Sequence, residues 1–185
     1  MKTEKTAVRH IIKELKQNIK LPAEVNSTLE TIVFSKVELL PEFKFSKNIL
    51  MYHSLDDEFP TKNTIKRWAE YKQIFLPRVK GLDLELLAYN SQCLKTGVFG
   101  IEEPTGNNTI PPQLIDLIIV PAMAFDPYGN RLGRGKGFYD RLLAMTPATR
   151  IGVGYDFQIL DILPADRHDI KMHYVFTPNC SIHVK

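Results

Sequence analysis

A glycine-rich basic loop constrains the fold of this chain more than any other feature. The loop reads Arg131-Leu-Gly-Arg-Gly-Lys-Gly-Phe-Tyr-Asp140, with glycines at 133, 135 and 137 and cations at 131, 134 and 136. An apolar run, 117–125, leads into it, and a short helical segment, 139–144, follows. Glycines let the backbone approach an anion closely, and a helix N-terminus adds unpaired N–H groups. The pattern predicts a strand, a phosphate-binding loop and a helix in succession.

The spacing of the glycines separates this loop from two common phosphate-binding motifs. A P-loop has four residues between its glycines and a Ser or Thr after its lysine. Here three residues separate Gly129 from Gly133, and Gly137 follows Lys136. The dinucleotide motif G-x-G-x-x-G does not fit either, because every second residue from Gly133 to Gly137 is glycine. We therefore expect a phosphate-binding loop that belongs to neither motif.

Composition limits the classes of protein to which the chain can belong. Its 185 residues, 44% hydrophobic and 24% charged, fit one domain spanning 1–185. The net charge of +3 is small for a nucleic-acid-binding domain, and no apolar run approaches the ~20 residues of a membrane span. The N-terminal residues lack the apolar core of a secretion signal, and Cys93 and Cys180 have no metal-type spacing. We expect a cytoplasmic protein with two free thiols.

Helical patterns occur at three places before the glycine loop. Pro22 is well placed to begin a second helix that reaches Phe34, and Thr61 can cap a third that extends to Ile74. The first helix is predicted by an apolar stripe at helical spacing, formed by Val8, Ile11, Ile12, Leu15 and Ile19.

Apolar runs alternate with these helices. They predict strands at 48–53, 74–79, 82–89, 149–155 and 172–176. Between the strand at 82–89 and Pro112 the sequence is rich in turn residues, and we expect an irregular stretch there. Helices that alternate with short apolar strands are typical of an α/β sheet covered on both faces. The predicted fold is therefore α/β, a single-domain layered fold with a mostly parallel central sheet and helices on both faces.

Several polar residues have ordinary structural explanations when they are taken alone. Lys5 and Arg9 fall together on one border of the first apolar stripe, where basic residues are typical of a solvated helix edge. Asp140 is a suitable acid for the first turn of a helix, and Asp169 is a suitable turn residue. From the residues alone, these structural explanations are favoured over ligand binding.

The order of residues around the glycine loop resembles one family. That family has an aspartate before an apolar strand, Val-Pro, an aromatic-Asp turn, Gly, Arg-Leu-Gly, two more glycines, an aromatic pair and Asp. The chain has these elements in the runs 116–126 and 129–140, and it resembles the 5-formyltetrahydrofolate cyclo-ligases. Weaker matches are Lys5, Arg9, 51–53, Glu58, Thr61, 76–78, Glu103-Pro104, Gly154, Gln158, Leu163-Pro164 and His168-Asp169.

Two positions depart from the family pattern. The segment 82–88 lacks the methionine that the family often has near the folate. The first aromatic residue of the loop pair is Phe138 where the family has tyrosine, so this ring can stack but cannot donate a hydrogen bond.

The resemblance implies an ATP- and Mg²⁺-dependent reaction. The family converts 5-formyltetrahydrofolate and ATP into 5,10-methenyltetrahydrofolate, ADP and phosphate. The formyl oxygen takes the γ-phosphoryl group to give an imidoyl phosphate, and nitrogen 10 then displaces phosphate. The implied partners are a reduced folate and ATP, without nucleic acid or membrane, and the implied assembly is a monomer or weak homo-oligomer.

The resemblance also assigns roles to residues of this chain. The implied catalytic residues are Arg134, Lys136 and Tyr139, and the implied magnesium ligands are Asp140 and Asp169. The implied folate contacts are His53, Glu58, Arg134 and Phe138, although Glu58 also suits an acidic turn and His53 a strand end. The implied ATP contacts are Lys5, Arg9, Arg131, Leu132, Gly133, Arg134, Gly135, Lys136, Gly137, Phe138 and Tyr139.

Three other functions are compatible with parts of the sequence. A nucleic-acid-binding module could use the basic glycine loop, but the small net charge counts against it. A sugar-phosphate or CoA-handling enzyme could share the fold, since fold alone does not set function. A degenerate, inactive relative of the cyclo-ligases is a further alternative, and the intact loop argues against it. The cyclo-ligase hypothesis is preferred because it gives Glu58, Asp140 and Asp169 a role.

Overall fold

The structure is a computed structural model that describes residues 2–18, 21–97, 100–166 and 169–184. Its helices are α1 (Lys2–Asn18), α2 (Ala23–Glu38), α3 (Pro41–Phe45), α4 (Lys62–Trp68) and α5 (Phe138–Leu143). Its first six strands are β1 (Asn48–Leu50), β2 (Gln73–Lys80), β3 (Asp83–Ala88), β4 (Leu94–Thr96), β5 (Glu102–Pro104) and β6 (Thr109–Ile110). The others are β7 (Leu117–Val120), β8 (Ala124–Phe125), β9 (Arg131–Leu132), β10 (Thr149–Val153), β11 (Tyr174–Phe176) and β12 (Ser181–His183).

The central sheet confirms the predicted fold class. Within the described residues it has eight strands in the order β12-β11-β10-β7-β1-β2-β3-β6. The inner pairings of β11 with β10, β10 with β7, β7 with β1 and β1 with β2 are parallel. Strands β12, β3 and β6 join antiparallel at the two edges. Two short hairpins, β4–β5 and β8–β9, lie outside this sheet.

Successive residues of the inner strands point into two separate apolar cores. Ile49 and Ile119 pack in the core that includes side chains of α2, α3 and α4. Leu50 and Val120 pack in the core that includes side chains of α5. This alternation follows from the pleat of a strand, in which neighbouring side chains lie on opposite faces. The inner strands are therefore apolar on both faces, as parallel strands between two helical layers must be.

The apolar stripe that was predicted for α1 is only partly buried. Ile12 is fully buried, in contact with a cluster that includes Leu132 of β9. Ile11 and Leu15, in contrast, are 55% and 36% exposed, and Ile19 lies outside the described residues. The helix turns its basic edge inward because that edge finds carboxylate and carbonyl partners. No helix in the described part of the chain combines the length and apolar character needed to cross a membrane.

Helix α4 is shorter than predicted, and Thr61 does not cap it. The helix ends at Trp68, and Ile74 lies in β2. The Thr61 hydroxyl donates a hydrogen bond to the carbonyl of Tyr52 at 2.7 Å and accepts one from the N–H of Ser54 at 3.2 Å. Thr61 therefore fixes the segment that follows β1, since its side chain is fully buried and bonded to that segment instead of to the helix.

The observed strands differ most from the predicted ones where the strands are shortest. The stretch predicted as irregular contains β4, β5 and β6, and β12 was not predicted. Strands of two or three residues carry no periodicity from which they can be recognised. The run 117–125 is interrupted at Pro121, which has no N–H to donate to a ladder. The glycine loop therefore begins with β9 of a hairpin instead of following a strand of the central sheet.

Candidate active site

The predicted site residues lie around a single cavity of about 590 Å³. Segments that directly follow β1 and β7 form part of its wall, and its volume is that of a typical small-molecule site. The following predicted residues all line it: Lys5, Arg9, His53, Glu58, Arg131, Leu132, Gly133, Arg134, Gly135, Lys136, Gly137, Phe138, Tyr139, Asp140 and Asp169. The sequence assignments, although scattered over the chain, therefore converge in space.

The glycine loop owes its shape to two left-handed residues. Gly135 has a φ of 94° and Gly137 a φ of 71°, and a side chain is strained at either value. Arg9 of α1 reaches across to the loop, where its Nε–H donates to the carbonyl of Gly133 at 2.8 Å. A Cβ atom on Gly135 would lie 3.4 Å from Cζ of Arg9. The loop and the N-terminal helix are thus fitted against each other at the cavity.

Arg131 is a buried cation whose guanidinium is only partly engaged. One terminal nitrogen donates to Oδ1 of Asp140 at 2.6 Å, and the other donates to the carbonyl of Pro121 at 3.2 Å. Its Nε is buried and has no hydrogen-bond partner among the described residues. An unpaired buried donor is unfavourable, so this atom is available to a ligand that supplies an acceptor.

The aromatic pair of the loop provides a second unpaired donor. The hydroxyl of Tyr139 is buried, and no hydrogen-bond partner for it lies in the described part of the chain. Burial raises the pKa of Tyr139, so this hydroxyl stays protonated. Phe138 lines the cavity beside it and carries the guanidinium of Arg141 over its ring, 5.5 Å from the centroid. Lys136 lines the cavity and is exposed.

Arg134 is held by the acidic turn that follows β1. A terminal nitrogen donates to Oδ1 of Asp57 at 2.6 Å, and Nε donates to Oε1 of Glu58 at 3.2 Å. Burial by itself raises the pKa of Asp57, but the hydrogen bond and the charge of Arg134 outweigh it, so the pKa ends below its usual range. The other oxygen of Glu58 accepts the N–H of Leu55 at 3.1 Å. The guanidinium is therefore bound to carboxylates through Nε and one terminal nitrogen.

Lys5 binds two carboxylates from the loop before β11. Its ammonium lies 2.7 Å from Oδ2 of Asp166 and 2.6 Å from Oδ2 of Asp169. Burial lowers the pKa of Lys5, but the hydrogen bonds and charges of the two aspartates outweigh it and raise the pKa overall. Oδ2 of Asp169 also accepts the N–H of Asp166 at 2.7 Å, and His168 lies outside the described residues. Lys5 is thus a mostly buried residue of the cavity wall and not a solvated edge residue, while its contact with ATP stays a prediction.

Apolar side chains form a further part of the cavity lining. His53 also lines the cavity, and its Nδ1 lies 3.5 Å from a carboxylate oxygen of Glu102. Burial and the charge of Lys62 lower the pKa of His53 despite this carboxylate, so the imidazole is neutral at pH 7. Leu84 of β3 lines the cavity, so an apolar side chain is present in the strand that lacks the family methionine. Pro77 and other apolar residues complete the wall.

Three participants were not assigned to the site from the sequence. Asp57 was noted only as part of an acidic turn, yet it forms the shorter of the two bonds to Arg134. Asp166 shares Lys5 with Asp169, and Glu103 lines the cavity while its Oε1 accepts the N–H of Val79 at 3.2 Å. Asp57 lies next to Glu58 and Asp166 lies three positions from Asp169, whereas Glu103 was itself one of the weaker matches to the family.

The metal assignment has oxygen donors but no preformed cluster. Asp140 and Asp169 both line the cavity, where each is bound to a cation, Arg131 and Lys5 respectively. Within residues 2–18, 21–97, 100–166 and 169–184, no group of three or more potential metal-binding side chains is present. Two carboxylates suit Mg²⁺, which is usually held by few protein ligands together with water and phosphate oxygens.

Comparison with known proteins identifies the family. The model of the 5-formyltetrahydrofolate cyclo-ligase family matches residues 1–178. A 5-formyltetrahydrofolate cyclo-ligase of Haemophilus influenzae is 34% identical over 146 residues, covering 72% of this chain and 76% of the relative. One of Mus musculus is 31% identical and covers 94% of both chains. The solved structure of 5,10-methenyltetrahydrofolate synthetase from Aquifex aeolicus, 34% identical, matches 98% of this chain and 93% of that chain with a TM-score of 0.87. The chain therefore belongs to the 5-formyltetrahydrofolate cyclo-ligase family and is an enzyme of the ligase class.

Proposed function

We propose that this enzyme uses ATP and Mg²⁺ to convert 5-formyltetrahydrofolate into 5,10-methenyltetrahydrofolate, with release of ADP and phosphate. The observation that carries the proposal is the convergence of the glycine-loop cations, two aspartates and an apolar chamber on one cavity. Family membership favours this function over the sugar-phosphate and nucleic-acid alternatives.

The basic residues that line the cavity suit a triphosphate. The buried Nε–H of Arg131 and the buried hydroxyl of Tyr139 are donors without acceptors in the described part of the chain. A phosphate oxygen supplies the acceptor that each lacks, and Lys5, Arg9 and the glycine loop add charge and backbone N–H groups around it. These residues bind the nucleotide in our proposal, and their role is to hold the γ-phosphoryl group in position.

Asp140 and Asp169 are the proposed ligands of Mg²⁺. Both are carboxylates that line the cavity, and each is paired with a cation, Arg131 and Lys5 respectively. When bound, the ion neutralises phosphate charge and orients the phosphate oxygens. Arg131 and Lys5 fix the two carboxylates in place, so these cations position the ligands as well as the nucleotide.

The apolar lining and the polar groups beside it suit the reduced folate. Glu58 can accept two hydrogen bonds from the amino and ring N–H groups of a pterin, which gives a two-point recognition. Neutral His53 can donate or accept one hydrogen bond, and Phe138 offers a ring face for stacking. The apolar walls exclude water from the reacting groups, which strengthens the electrostatic contacts made there.

Two displacement steps account for the reaction. In the first, the formyl oxygen bonds to the γ-phosphorus while the bond to the ADP oxygen breaks, which gives an imidoyl phosphate. In the second, nitrogen 10 bonds to the formyl carbon, loses its proton, and phosphate leaves with the former formyl oxygen. Arg134 and Lys136 stabilise the charge on the transferring phosphoryl group, and Tyr139 donates a hydrogen bond to the same group.

Isotope labelling tests this route. The substrate carries a heavy oxygen isotope in its formyl group, and the released phosphate is analysed by mass spectrometry. The proposal requires the label to appear in the phosphate, because the formyl oxygen leaves with the phosphoryl group. Unlabelled phosphate in a reaction that still forms methenyltetrahydrofolate would rule out phosphoryl transfer to the formyl oxygen.

Replacing Asp140 with asparagine tests the magnesium assignment. The variant is expected to need about tenfold more Mg²⁺ for half-maximal turnover, since an amide is a weaker ligand than a carboxylate and loss even of an indirect partner can cost that much. Asp161→Asn, which changes an exposed aspartate outside the cavity, is the matched control. A magnesium titration of Asp140→Asn that overlays the parent's would refute the assignment.

Replacing Glu58 with glutamine tests the pterin contact. The amide keeps one oxygen but loses the charge, so the KM for the folate is expected to rise by about tenfold, the equivalent of one charge-assisted hydrogen bond. The KM for ATP is expected to change much less. Asp56→Asn removes a neighbouring exposed charge from the same turn and serves as the control. An unchanged folate KM in Glu58→Gln would show that another group recognises the pterin.

A further inference from the structure

Lys16 of α1 is a buried cation that the proposed reaction does not use. Its side chain is 5% exposed, and its Nζ has no hydrogen-bond partner among the described residues. Burial lowers the pKa of Lys16, and the charge of Asp57 offsets this only in part. A buried ammonium without a hydrogen bond is unfavourable for folding, and apolar replacements of such groups are often stabilising. Stability therefore does not explain why a lysine occupies this position.

The nearest carboxylate to Lys16 is shared with the glycine loop. Oδ1 of Asp57 accepts the 2.6 Å hydrogen bond from Arg134, and Oδ2 of the same carboxylate lies 3.9 Å from Nζ of Lys16. Asp57 thus stands between two cations but is fully bonded to only one of them. Lys16 itself does not line the cavity, whereas Arg134 does.

Arg134 cannot use the same edge of its guanidinium to bind the carboxylates of Asp57 and Glu58 and a phosphoryl group at the same time. Its Nε–H and one terminal N–H are bonded to Glu58 and Asp57, and these two groups form one of the two forks that a guanidinium uses for bidentate binding of an oxyanion. Arg134 must therefore leave the acidic turn to bind phosphate through that fork. Without compensation, its departure leaves the half-buried charge of Asp57 without a partner, which opposes nucleotide binding.

We propose that Lys16 is a positioning residue that receives Asp57 when Arg134 turns to the phosphate. The inference rests on the proposed function, in which Arg134 binds the transferring phosphoryl group. A shift of roughly 1 Å brings the 3.9 Å contact between Asp57 and Lys16 to the length of a charge-assisted hydrogen bond. The carboxylate is then neutralised in both states, by Arg134 before the nucleotide binds and by Lys16 afterwards. Glu58 is released in the same movement and becomes available to the pterin.

A double-mutant cycle between Lys16 and Asp57 tests this exchange. Lys16→Met removes the charge and keeps the aliphatic stem, so Arg134 stays bound to Asp57. The Kd for Mg-ATP, measured by calorimetry, is expected to rise by about three- to tenfold. In the Asp57→Asn background, Lys16→Met is expected to leave the Kd for Mg-ATP unchanged, because there is no carboxylate at position 57 for Lys16 to bind. Lys13→Met, an exposed lysine of the same helix, is the control and should bind like the parent.

The cycle separates a positioning role from a merely structural one. We expect the melting temperature of Lys16→Met to match or exceed the parent's, and Lys16→Gln, which also loses the charge, to repeat the binding result. If Lys16→Met raises the Kd by the same factor in both backgrounds, or in neither, the proposed exchange is wrong. Binding of Mg-ATP by the parent protein would in that case still support the proposed function. A folded parent that fails to bind Mg-ATP would overturn both.

Discussion

Replacing Arg134 with alanine is expected to lower turnover by about 10²- to 10³-fold at saturating ATP and folate, the range found when one preorganised donor to a developing charge is removed. The side chain is 44% exposed and forms its hydrogen bonds to Asp57 and Glu58. Its loss therefore removes charge stabilisation at the phosphoryl group and little packing. The effect should appear in kcat, with a melting temperature close to the parent's.

Arg67→Ala is the matched control for this prediction. Arg67 lies in α4, is 43% exposed and pairs with a carboxylate of Glu38 at 2.7 Å, so it resembles Arg134 in exposure and pairing but lies outside the cavity. Its replacement should leave kcat unchanged. A parent-like kcat in Arg134→Ala would contradict the role assigned to the guanidinium, whatever the behaviour of the control.

Replacing Asp126 with alanine is expected to have the largest effect on stability. This carboxylate is fully buried in the turn between β8 and β9. Oδ1 accepts the N–H groups of Tyr128 at 3.0 Å and Asn130 at 2.9 Å, and Oδ2 accepts the N–H of Leu163 at 3.0 Å and the side-chain amide of Asn130 at 2.8 Å. Alanine leaves these donors unpaired, which should lower the free energy of unfolding by about 3–5 kcal/mol.

Denaturant unfolding measures this loss, and Asp126→Asn provides a graded comparison. Asparagine keeps one acceptor oxygen, so its free energy of unfolding should fall between those of the parent and Asp126→Ala. The turn leads directly into Arg131, so a folded Asp126→Ala protein should also bind nucleotide more weakly. Equal free energies of unfolding for parent and Asp126→Ala would show that water replaces the carboxylate at no cost.

The glycine loop could be predicted because its chemistry is local. Glycines at alternate positions, with cations between them, are meaningful without knowledge of the rest of the chain, and the structure has left-handed backbone at Gly135 and Gly137. Lys5 and Arg9 could not be assigned from periodicity. An apolar stripe indicates that a helix packs against the rest of the protein, but it does not indicate which polar edge of the helix binds other residues. Here Ile11 and Leu15 of the stripe remain exposed. Only the resemblance to the family identified these two cations.

Hydrogen bonds between residues far apart in the chain could not be predicted from the sequence. Asp57 and Arg134 are 77 positions apart, and nothing in the acidic turn indicates that it reaches the glycine loop. Thr61 has the position of a helix cap, yet tertiary contacts with the segment after β1 take its hydroxyl. In each case the deciding partner is set by how the helices pack on the sheet, which short-range patterns do not encode.

The proposed conversion can be tested by mixing the purified protein with 5-formyltetrahydrofolate, ATP and Mg²⁺ and following the near-ultraviolet absorbance of the methenyl product. We expect a rise that requires both ATP and Mg²⁺ and that is abolished when either is omitted. A protein that is folded by its melting curve and gives no rise under these conditions would refute the proposed conversion.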